Sequence, residues 1–370
     1  MCKKTYFLLV SCLAVTMTQA QEFKPSIHGT IRGKYERQFS SSDNHDEEAA
    51  STDAQRFEVR NARISVDGLL NERVSYKAEI DLCDEGAIKM LDAYGRVKLT
   101  PRWEVQIGQY RVPFTIDAHR SPHQQYFANR SFIAKQVGSI RDVGLSATYT
   151  FPRNEAGWGN VLQGGLFNGS GLTGQKDYWT SSINFSLKEQ LLMPHGWLLE
   201  ASMQKVRPDG VTIMMYDGAL QWHNQNWICE AEYVYKNYAH DAFEGVNAVD
   251  AFVCYDQWLN DRSAASNSSH KDANNRLLQK VSYLARFDYM GDNSDGFHYL
   301  NGSKSSAPDA ALCINDFARK RLTAGVTLSF GQRAFTADLR LNYEKYFYDE
   351  GAQIKTSEHD KVVAELMVRF

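Results

Sequence analysis

Beyond its first twenty residues, most of the chain alternates between apolar and polar positions with a period of two. From Arg73 to Leu82 every second residue is apolar, and the residues between them are polar and mostly charged. The segments from Ile27 to Tyr35 and from Leu91 to Leu99 repeat the pattern, whereas stretches with a helical period are nearly absent. Such alternation is typical of β-strands that separate an apolar from a polar environment. We therefore predict an all-β protein.

Alternation alone fits either a soluble β-sandwich, with apolar faces inward, or a membrane β-barrel, with apolar faces toward lipid. Strands of about ten residues favour the barrel, because a tilted strand needs that length to cross a bilayer. Short connections such as 70–72 and 331–334 also interleave with long polar ones such as 38–54, 113–140 and 291–316. Aromatic residues recur near strand ends, as they do at the two interfaces of membrane barrels.

The pattern predicts a transmembrane antiparallel β-barrel of about sixteen strands. Further strands begin near Val143, Ile183, Trp197, Trp227, Val281, Leu322 and Phe335. An even number returns both termini to one side, and sixteen strands enclose an aqueous channel. The polar segment from Gln257 to Gln279 falls where this count requires a short turn. Either that turn is long, or a strand between Ala201 and Tyr255 is misplaced.

The first twenty residues resemble a secretory signal. Lys3 and Lys4 precede a short apolar stretch from Tyr6 to Val15, and small residues end at Ala20. An alternative is lipidation at Cys12, although the apolar stretch before it is very short. We predict a signal peptide over 1–20 and the barrel over 21–370.

Composition excludes several classes of protein. With 370 residues, 43% hydrophobic and 23% charged, the chain is not disordered as a whole. After the leader no apolar run approaches 18 residues, which excludes helical membrane spans. The net charge of -3 provides no global basic field for nucleic acid. The cysteines beyond the leader are widely spaced, so we expect neither a disulfide framework nor a zinc site, and no cofactor.

The chain ends with a strand that finishes on Phe370. Such an ending resembles the C-terminal signature of bacterial outer-membrane barrels, which barrel-assembly machinery recognises. Together with the secretory signal, it places the predicted barrel in the bacterial outer membrane.

Several stretches, taken in order, resemble the phosphate-selective porin O and P family. They are Arg60–Ile64, Ile107–Phe114, Arg141–Leu145, Phe167–Gly171, Leu341–Glu344 and Val368–Phe370. The resemblance implies a sixteen-stranded barrel, usually trimeric, that passes anions through a lumen lined with Arg and Lys and narrowed by an inward-folded third loop. The family's paired basic residues become Arg60 and Asn61 here. One cation is therefore missing, which weakens the case for tight phosphate selectivity.

Basic residues dominate the wall and third loop of the predicted barrel. Residues 24–150 contain 18 Lys and Arg residues and 17 Asp and Glu residues. Five of these acids lie in the loop 43–53, so the remaining residues carry 18 basic and 12 acidic side chains. Lys34, Arg63, Lys77, Arg96 and Lys98 all lie on the polar faces of their predicted strands. A Lys or Arg facing lipid at mid-membrane costs about 2–4 kcal/mol, so this face should line the lumen. The predicted lumen and constriction residues are Arg60, Arg63, Lys77, Arg96, Lys98, Arg111, Arg120, Arg130, Lys135 and Arg141.

Two alternatives remain open for these residues. The cations could be paired with Glu79, Asp81 and Asp92 and merely solvate the lumen, and the third loop could be an ordinary external loop. Arg60 shares the lipid-facing parity of Ala62, a conflict that a β-bulge near Asn61 or a strand end above the membrane would resolve.

Other motifs indicate no chemistry of their own. Gly169–Gly174 spells G-x-G-x-x-G, but no apolar helix follows, so we expect a hairpin loop. His119 and His123 flank Pro122, which argues against a helix presenting both to a metal. The acidic run from Asp43 to Glu48 could hold a divalent cation weakly, although a solvated loop is the simpler interpretation. No Ser, His and acid spacing names a hydrolase.

The sequence predicts a passive outer-membrane channel for small anions such as phosphate or polyphosphate, and not an enzyme. The alternatives are a non-selective general porin, an outer-membrane barrel enzyme and an adhesin with a plugged lumen. Expected partners are inorganic anions, outer-membrane lipid, the barrel-assembly machinery through Phe370 and further copies in a homotrimer. We expect no nucleic acid partner.

Overall fold

The computed structural model describes residues 24–39, 54–84, 87–137, 141–172, 175–259, 277–332, 335–349, 352, 354–355 and 357–370. The predicted signal peptide and the acidic run from Asp43 to Glu48 lie outside these residues. Within the described part, no helix has the length and apolar character needed to cross a membrane. The four cysteines described there, Cys83, Cys229, Cys254 and Cys313, form no disulfide.

Sixteen strands of the described chain form a closed antiparallel barrel, which confirms the predicted fold class. They are β1 (Ser26–Gln38), β2 (Gln55–Leu69), β3 (Val74–Asp84), β4 (Ala87–Lys98), β5 (Trp103–Arg111), β6 (Arg141–Thr150), β7 (Gly159–Phe167), β8 (Asn184–Leu192), β9 (Trp197–Val206), β10 (Ile213–His223), β11 (Trp227–Tyr238), β12 (Val246–Trp258), β13 (Leu278–Met290), β17 (Arg319–Gln332), β18 (Phe335–Tyr348) and β19 (Lys361–Arg369). Three short strands, β14 (His298–Leu300), β15 (Ser303–Lys304) and β16 (Ala311–Leu312), form a separate sheet between β13 and β17.

The barrel has two distinct ends. The terminal end carries Ser26 and Phe370 and the connections after β2, β4, β6, β8, β10, β12 and β17, and the loop end lies opposite. Strands β9 to β12 pair in continuous register, so no strand is misplaced between Ala201 and Tyr255. The polar segment from Gln257 to Gln279 therefore contains the connection between β12 and β13, which lies at the terminal end and is long, the first of the two predicted alternatives.

Apolar side chains cover the outer face of the barrel. Ile107 and Leu166 are 64% and 57% exposed there. Near the terminal end, aromatic rings pair across neighbouring strands, with ring centroids 4.8 Å apart for Trp103 and Tyr149. The alternate positions, which point inward, are mostly polar and buried. An apolar exterior with aromatic residues near its rim matches the requirements of a lipid bilayer.

A β-bulge resolves the conflicting parity of Arg60. On β1, Arg32 pairs with Asn61, but the next residue, Gly33, pairs with Val59, so Arg60 has no partner opposite it. The extra residue interrupts the alternation of β2, so Arg60 need not face outward as the parity of Ala62 implied. Arg60 consequently lines an interior cavity together with Arg32. This bulge is one of the two solutions that the sequence suggested.

Between β5 and β6 the chain crosses the inside of the barrel. This third-loop segment, defined here as residues 112–137, contains the short turns Asp117–His119, Pro122–Gln124 and Ile133–Val137. Its backbone N–H groups donate to inward-facing side chains of distant strands, including Phe132 N to Asp288 (3.3 Å) and Ala128 N to Asn342 (2.8 Å). Three further short turns, Pro194–Gly196, Pro208–Gly210 and Ala239–Asp241, connect strands elsewhere.

Part of the interior is apolar, contrary to the expectation of a uniformly polar lumen. Phe114, Phe132 and Ile133 of the third-loop segment pack against inward-facing Met215 and Met290. These apolar wall residues lie toward the loop end of β10 and β13. The reason is that the third-loop segment brings apolar side chains into the barrel, and only an apolar wall can bury them without a cost in hydration. The interior is consequently filled on this side.

Candidate functional site

The space left open by the third-loop segment includes a cavity along β1 and β2. This wall cavity has a volume of about 300 Å³ and is lined by nine Lys and Arg but only three Glu residues. The basic residues are Arg32, Lys34, Arg56, Arg60, Arg63, Arg130, Lys135, Arg321 and Lys361. The acids are Glu36, Glu58 and Glu358. A second cavity, about 580 Å³ in volume, opens at the terminal end beside Lys77 and Arg96.

A chain of ion pairs connects the two cavities along the wall. Arg63 lines the wall cavity and pairs with Asp81 at 3.0 Å and Glu79 at 3.3 Å. Glu79 also lies 2.6 Å from Lys77, which contacts Asp92 at 2.9 Å. Strictly alternating charges of this kind correspond to the alternative in which wall cations are paired with Glu79, Asp81 and Asp92.

Arg141 belongs to the same paired set, because its Nε lies 2.8 Å from Asp92. Arg96 bonds Gln106 at 2.9 Å, lies 3.2 Å from Glu104 and stands over the ring of Tyr94. Lys98 is exposed near the terminal end of β4, beyond the level of the third-loop segment. Of these three predicted residues, Arg141 is paired within the wall, Arg96 lies beside the cavity at the terminal end, and Lys98 is exposed at that end.

Arg111 and Arg130 are held by backbone carbonyls. Arg130 donates to the carbonyls of Asp117 (2.8 Å) and Arg120 (2.7 Å), and Arg111 donates to those of Ala118 and Arg120. Among the described residues no carboxylate forms an ion pair with either guanidinium. Burial lowers the pKa of Arg130 to about 10, against the influence of Asp117. The group is therefore still charged at neutral pH, and its charge is not cancelled by a paired acid.

Arg120 and Lys135 attach the third-loop segment to the barrel. Arg120 donates to Glu230 at 2.8 Å and to Asp117 at 3.1 Å, and it lies against the ring of Tyr126. Lys135 Nζ lies 3.0 Å from Glu358 in the connection between β18 and β19. Both cations, predicted as constriction residues, thus have anchoring contacts as well as a place beside an interior cavity.

The wall opposite the wall cavity is acidic. Glu200, Asp217, Glu230, Glu232, Asp250 and Asp288 are buried at inward positions of β9 to β13. The third-loop segment lies between the basic and the acidic walls and bonds to both. Its position separates the basic cavity from the acidic side of the interior.

Some residues of the wall cavity were not among the predicted site residues. Arg32 pairs with Glu365 at 2.9 Å, and Arg321 pairs with Asp288 at 2.9 Å. Arg321 and Lys361 lie on β17 and β19, beyond the segment whose charges were counted. Their alternation with outward residues such as Leu322 could have identified them.

The glycine motif and the two histidines have structural contacts. The carboxylate of Asp142 accepts hydrogen bonds from the backbone N–H groups of Gly169 (2.5 Å) and Gly171 (3.2 Å). His119 Nε2 lies 2.7 Å from the carbonyl oxygen of Val112, and burial holds the pKa of His119 well below its ordinary value. His119 is thereby neutral and part of the third-loop packing.

The model of one protein family, described as phosphate-selective porin O and P, matches residues 31–180. The predicted resemblance to this family is confirmed over these residues. The matched range contains seven of the nine basic residues of the wall cavity and the whole third-loop segment. Together with the closed barrel, this match supports an outer-membrane channel.

Solved structures share the fold of this chain at low sequence identity. An anion-selective porin from Comamonas acidovorans is 9% identical, with a TM-score of 0.56 over 94% of this chain and 99% of that one. The outer membrane channel DcaP of Acinetobacter baumannii is 12% identical, with a TM-score of 0.56 over 94% and 97%. OmpT of Vibrio cholerae in a trimer form is 10% identical, with a TM-score of 0.55 over 94% and 99%. No curated protein matches the sequence.

Proposed function

We propose that this porin passes small anions passively along its basic wall, and that phosphate is among them. The observation that carries the proposal is the lining of the wall cavity, which contains nine Lys and Arg residues but only three Glu residues. Fixed positive charges in a confined pore lower the barrier for anions and raise it for cations. The enzyme and adhesin alternatives have no comparable feature in their favour.

The arrangement of charges supports conduction more than tight binding. Arg32 and Arg321 have acidic partners behind the cavity lining, and Arg63 and Lys77 are paired along the wall. An anion that passes them competes with carboxylates already in place, so each contact is weak. Conduction requires such weak, successive sites, because an ion that binds tightly is released slowly.

Phosphate would gain most at Arg130, whose planar guanidinium offers paired donors and has no described carboxylate partner. Arg60, half exposed and 3.5 Å from Glu58, stands on the same cavity. We therefore propose a moderate preference for phosphate over chloride. A strong preference is not expected, because Arg60 and Asn61 stand where the family has two basic residues, so one cation is missing.

We also propose that the porin is a homotrimer and that barrel-assembly machinery recognises its final strand through Phe370. The trimer form of the OmpT structure supports the first proposal. Light scattering of the detergent-solubilised protein, corrected for bound detergent, tests it. A monomeric mass would contradict it without affecting the channel.

Recordings in planar bilayers test the conduction proposal. In a KCl gradient we expect a reversal potential that favours chloride, and phosphate added at constant ionic strength should reduce the chloride current. A reversal potential that favours potassium would refute the anion preference and leave the barrel intact. A protein that is folded and inserted but carries no current would refute the channel itself.

A further inference from the structure

Three buried carboxylates converge on the acidic wall, at a place that the proposed anion path does not use. Glu200 of β9, Asp217 of β10 and Glu232 of β11 each place one carboxylate oxygen within 4.8 Å of the other two. The residues are 1%, 7% and 1% exposed. We call this group the carboxylate cup.

Strand register creates space within the cup. Ala219 of β10 pairs with Glu200 on one side and with Glu232 on the other. Asp217 precedes Ala219 by two residues and therefore shares its inward face. Only the methyl group of Ala219 stands between the two glutamates on this row.

The third-loop segment closes the cup. Ile116 N donates a hydrogen bond to Glu232, and Thr115 N donates to Ser202 Oγ at 3.3 Å. Ser202 Oγ in turn donates to Asp217 Oδ2 at 2.9 Å. The hydroxyl of Thr115, which is fully buried, has no hydrogen-bond partner in the described structure.

With all three carboxylates ionised, negative charge in the cup exceeds positive charge by two. Lys188 Nζ lies 2.6 Å from Glu200, and it is the only cation of the described chain paired with any of the three acids. Asp217 Oδ1 and Glu232 Oε2 have no hydrogen-bond donor in the described structure. Buried charge without a partner is strongly destabilising, so these oxygens must either take up protons or bind a cation.

We propose that the carboxylate cup binds one divalent cation, of the size of Ca²⁺, and that this ion ties the third-loop segment to β9, β10 and β11. Ca²⁺ takes oxygen ligands at about 2.3–2.6 Å, so ligands on opposite sides stand about 4.6–5.2 Å apart. The three cup oxygens lie within 4.8 Å of one another, which is compatible with their being ligands of one such ion. Two positive charges also cancel the excess of two negative ones. Mg²⁺ requires ligands at about 2.0–2.1 Å and a tighter octahedron.

Metal analysis of the full chain, refolded in detergent and stripped with a chelator, tests the proposal. Wild type should bind one Ca²⁺ per chain more than the double variant Asp217→Asn/Glu232→Gln after equilibrium dialysis. Ca²⁺ should raise the heat-unfolding midpoint of wild type and leave that of the double variant unchanged. Asp338→Asn removes one charge from a carboxylate outside the cup, beside another interior cavity. This control should bind Ca²⁺ as wild type does.

Equal Ca²⁺ binding by wild type and the double variant would overturn the proposal and assign the cup to protons. So would a wild-type unfolding midpoint that does not respond to Ca²⁺, a measurement that stands even if the double variant fails to fold. A stronger response to Mg²⁺ than to Ca²⁺ would overturn the size argument. Bilayer selectivity is measured separately, so failure here leaves the anion path untouched.

Discussion

The ring of Phe370 lies on the outer face of Gly29 at the seam where the barrel closes. Gly29 N donates to the carbonyl of Phe370 at 2.8 Å, and Phe370 N donates back to Gly29 at 3.1 Å. A Cβ atom at position 29 would overlap the Phe370 ring. The last residue of the chain therefore pairs with the first strand and also covers its glycine, as aromatic residues do when they pack over strand glycines.

Gly29→Ala should weaken the seam, because the new methyl group displaces the Phe370 ring. Overpacking of this kind costs about 1–3 kcal/mol. The expected result is a lower temperature for the gel-mobility change that accompanies heat unfolding in detergent. Gly33→Ala is the matched control on the same strand, since a Cβ there meets nothing within 4 Å. Equal midpoints for the two variants would contradict the role given to the Phe370 ring.

Arg130→Gln should reduce the anion preference of the pore. The substitution removes a charge that backbone carbonyls hold in place and that forms no ion pair with a described carboxylate. We expect the reversal potential in a KCl gradient to move toward that of a non-selective pore. Lys320→Gln removes the same charge from an exposed position next to outward-facing Leu322. If both variants shift the potential equally, the effect belongs to net charge and not to Arg130.

Glu230→Gln should loosen the third-loop segment. Arg120 would lose its principal carboxylate partner and keep Asp117, and breaking a buried ion pair costs up to about 3–5 kcal/mol. We expect single-channel currents that are larger and noisier than those of wild type. Asp256→Asn breaks another wall ion pair, with Lys280 at 2.8 Å, without touching Arg120. If the currents of Glu230→Gln are as small and as free of noise as those of wild type, the Arg120–Glu230 ion pair does not hold the third-loop segment in place.

The barrel could be predicted from sequence because strand alternation is a local property. Residues such as Val74 and Tyr76 repeat every second position whatever lies opposite them, and the loop rhythm follows directly along the chain. The Arg60 conflict was visible for the same reason, and one of its two suggested solutions proved to be the β-bulge.

Pairing of the wall cations with Glu79, Asp81 and Asp92 was one of the predicted alternatives, but which cation meets which acid could not be predicted, because that depends on register and on the path of one loop. Arg63 and Asp81 are 18 residues apart and meet only through the pairing of β2 with β3. Arg120 and Glu230 meet across the interior, 110 residues apart. No sequence period relates such residues. For this reason Arg120 could be predicted to lie in the lumen, but its role in attaching the third-loop segment to the barrel could not.

Glu358 should make stability depend on pH in the acidic range. Its carboxylate lies 2.8 Å from Arg319 and 3.0 Å from Lys135. Burial raises the pKa of Glu358, but Lys135 and Arg319 outweigh burial, and the net pKa is lowered. Because the folded pKa is below the unfolded one, the carboxylate contributes fully above the unfolded pKa of about 4.3. That contribution is lost as the pH falls through the folded pKa.

Glu358→Gln should therefore lower the free energy of unfolding by about 1.5–3 kcal/mol at neutral pH, the range for hydrogen bonds to charged groups. The difference from wild type should stay constant between about pH 6 and 8 and shrink below about pH 4. Urea unfolding from lipid vesicles at several pH values measures it. Asp309→Asn, an exposed carboxylate in another loop, should show no such difference. A gap between wild type and Glu358→Gln that widens on acidification would reverse the sign of the argument and show that the two cations do not stabilise the charged form.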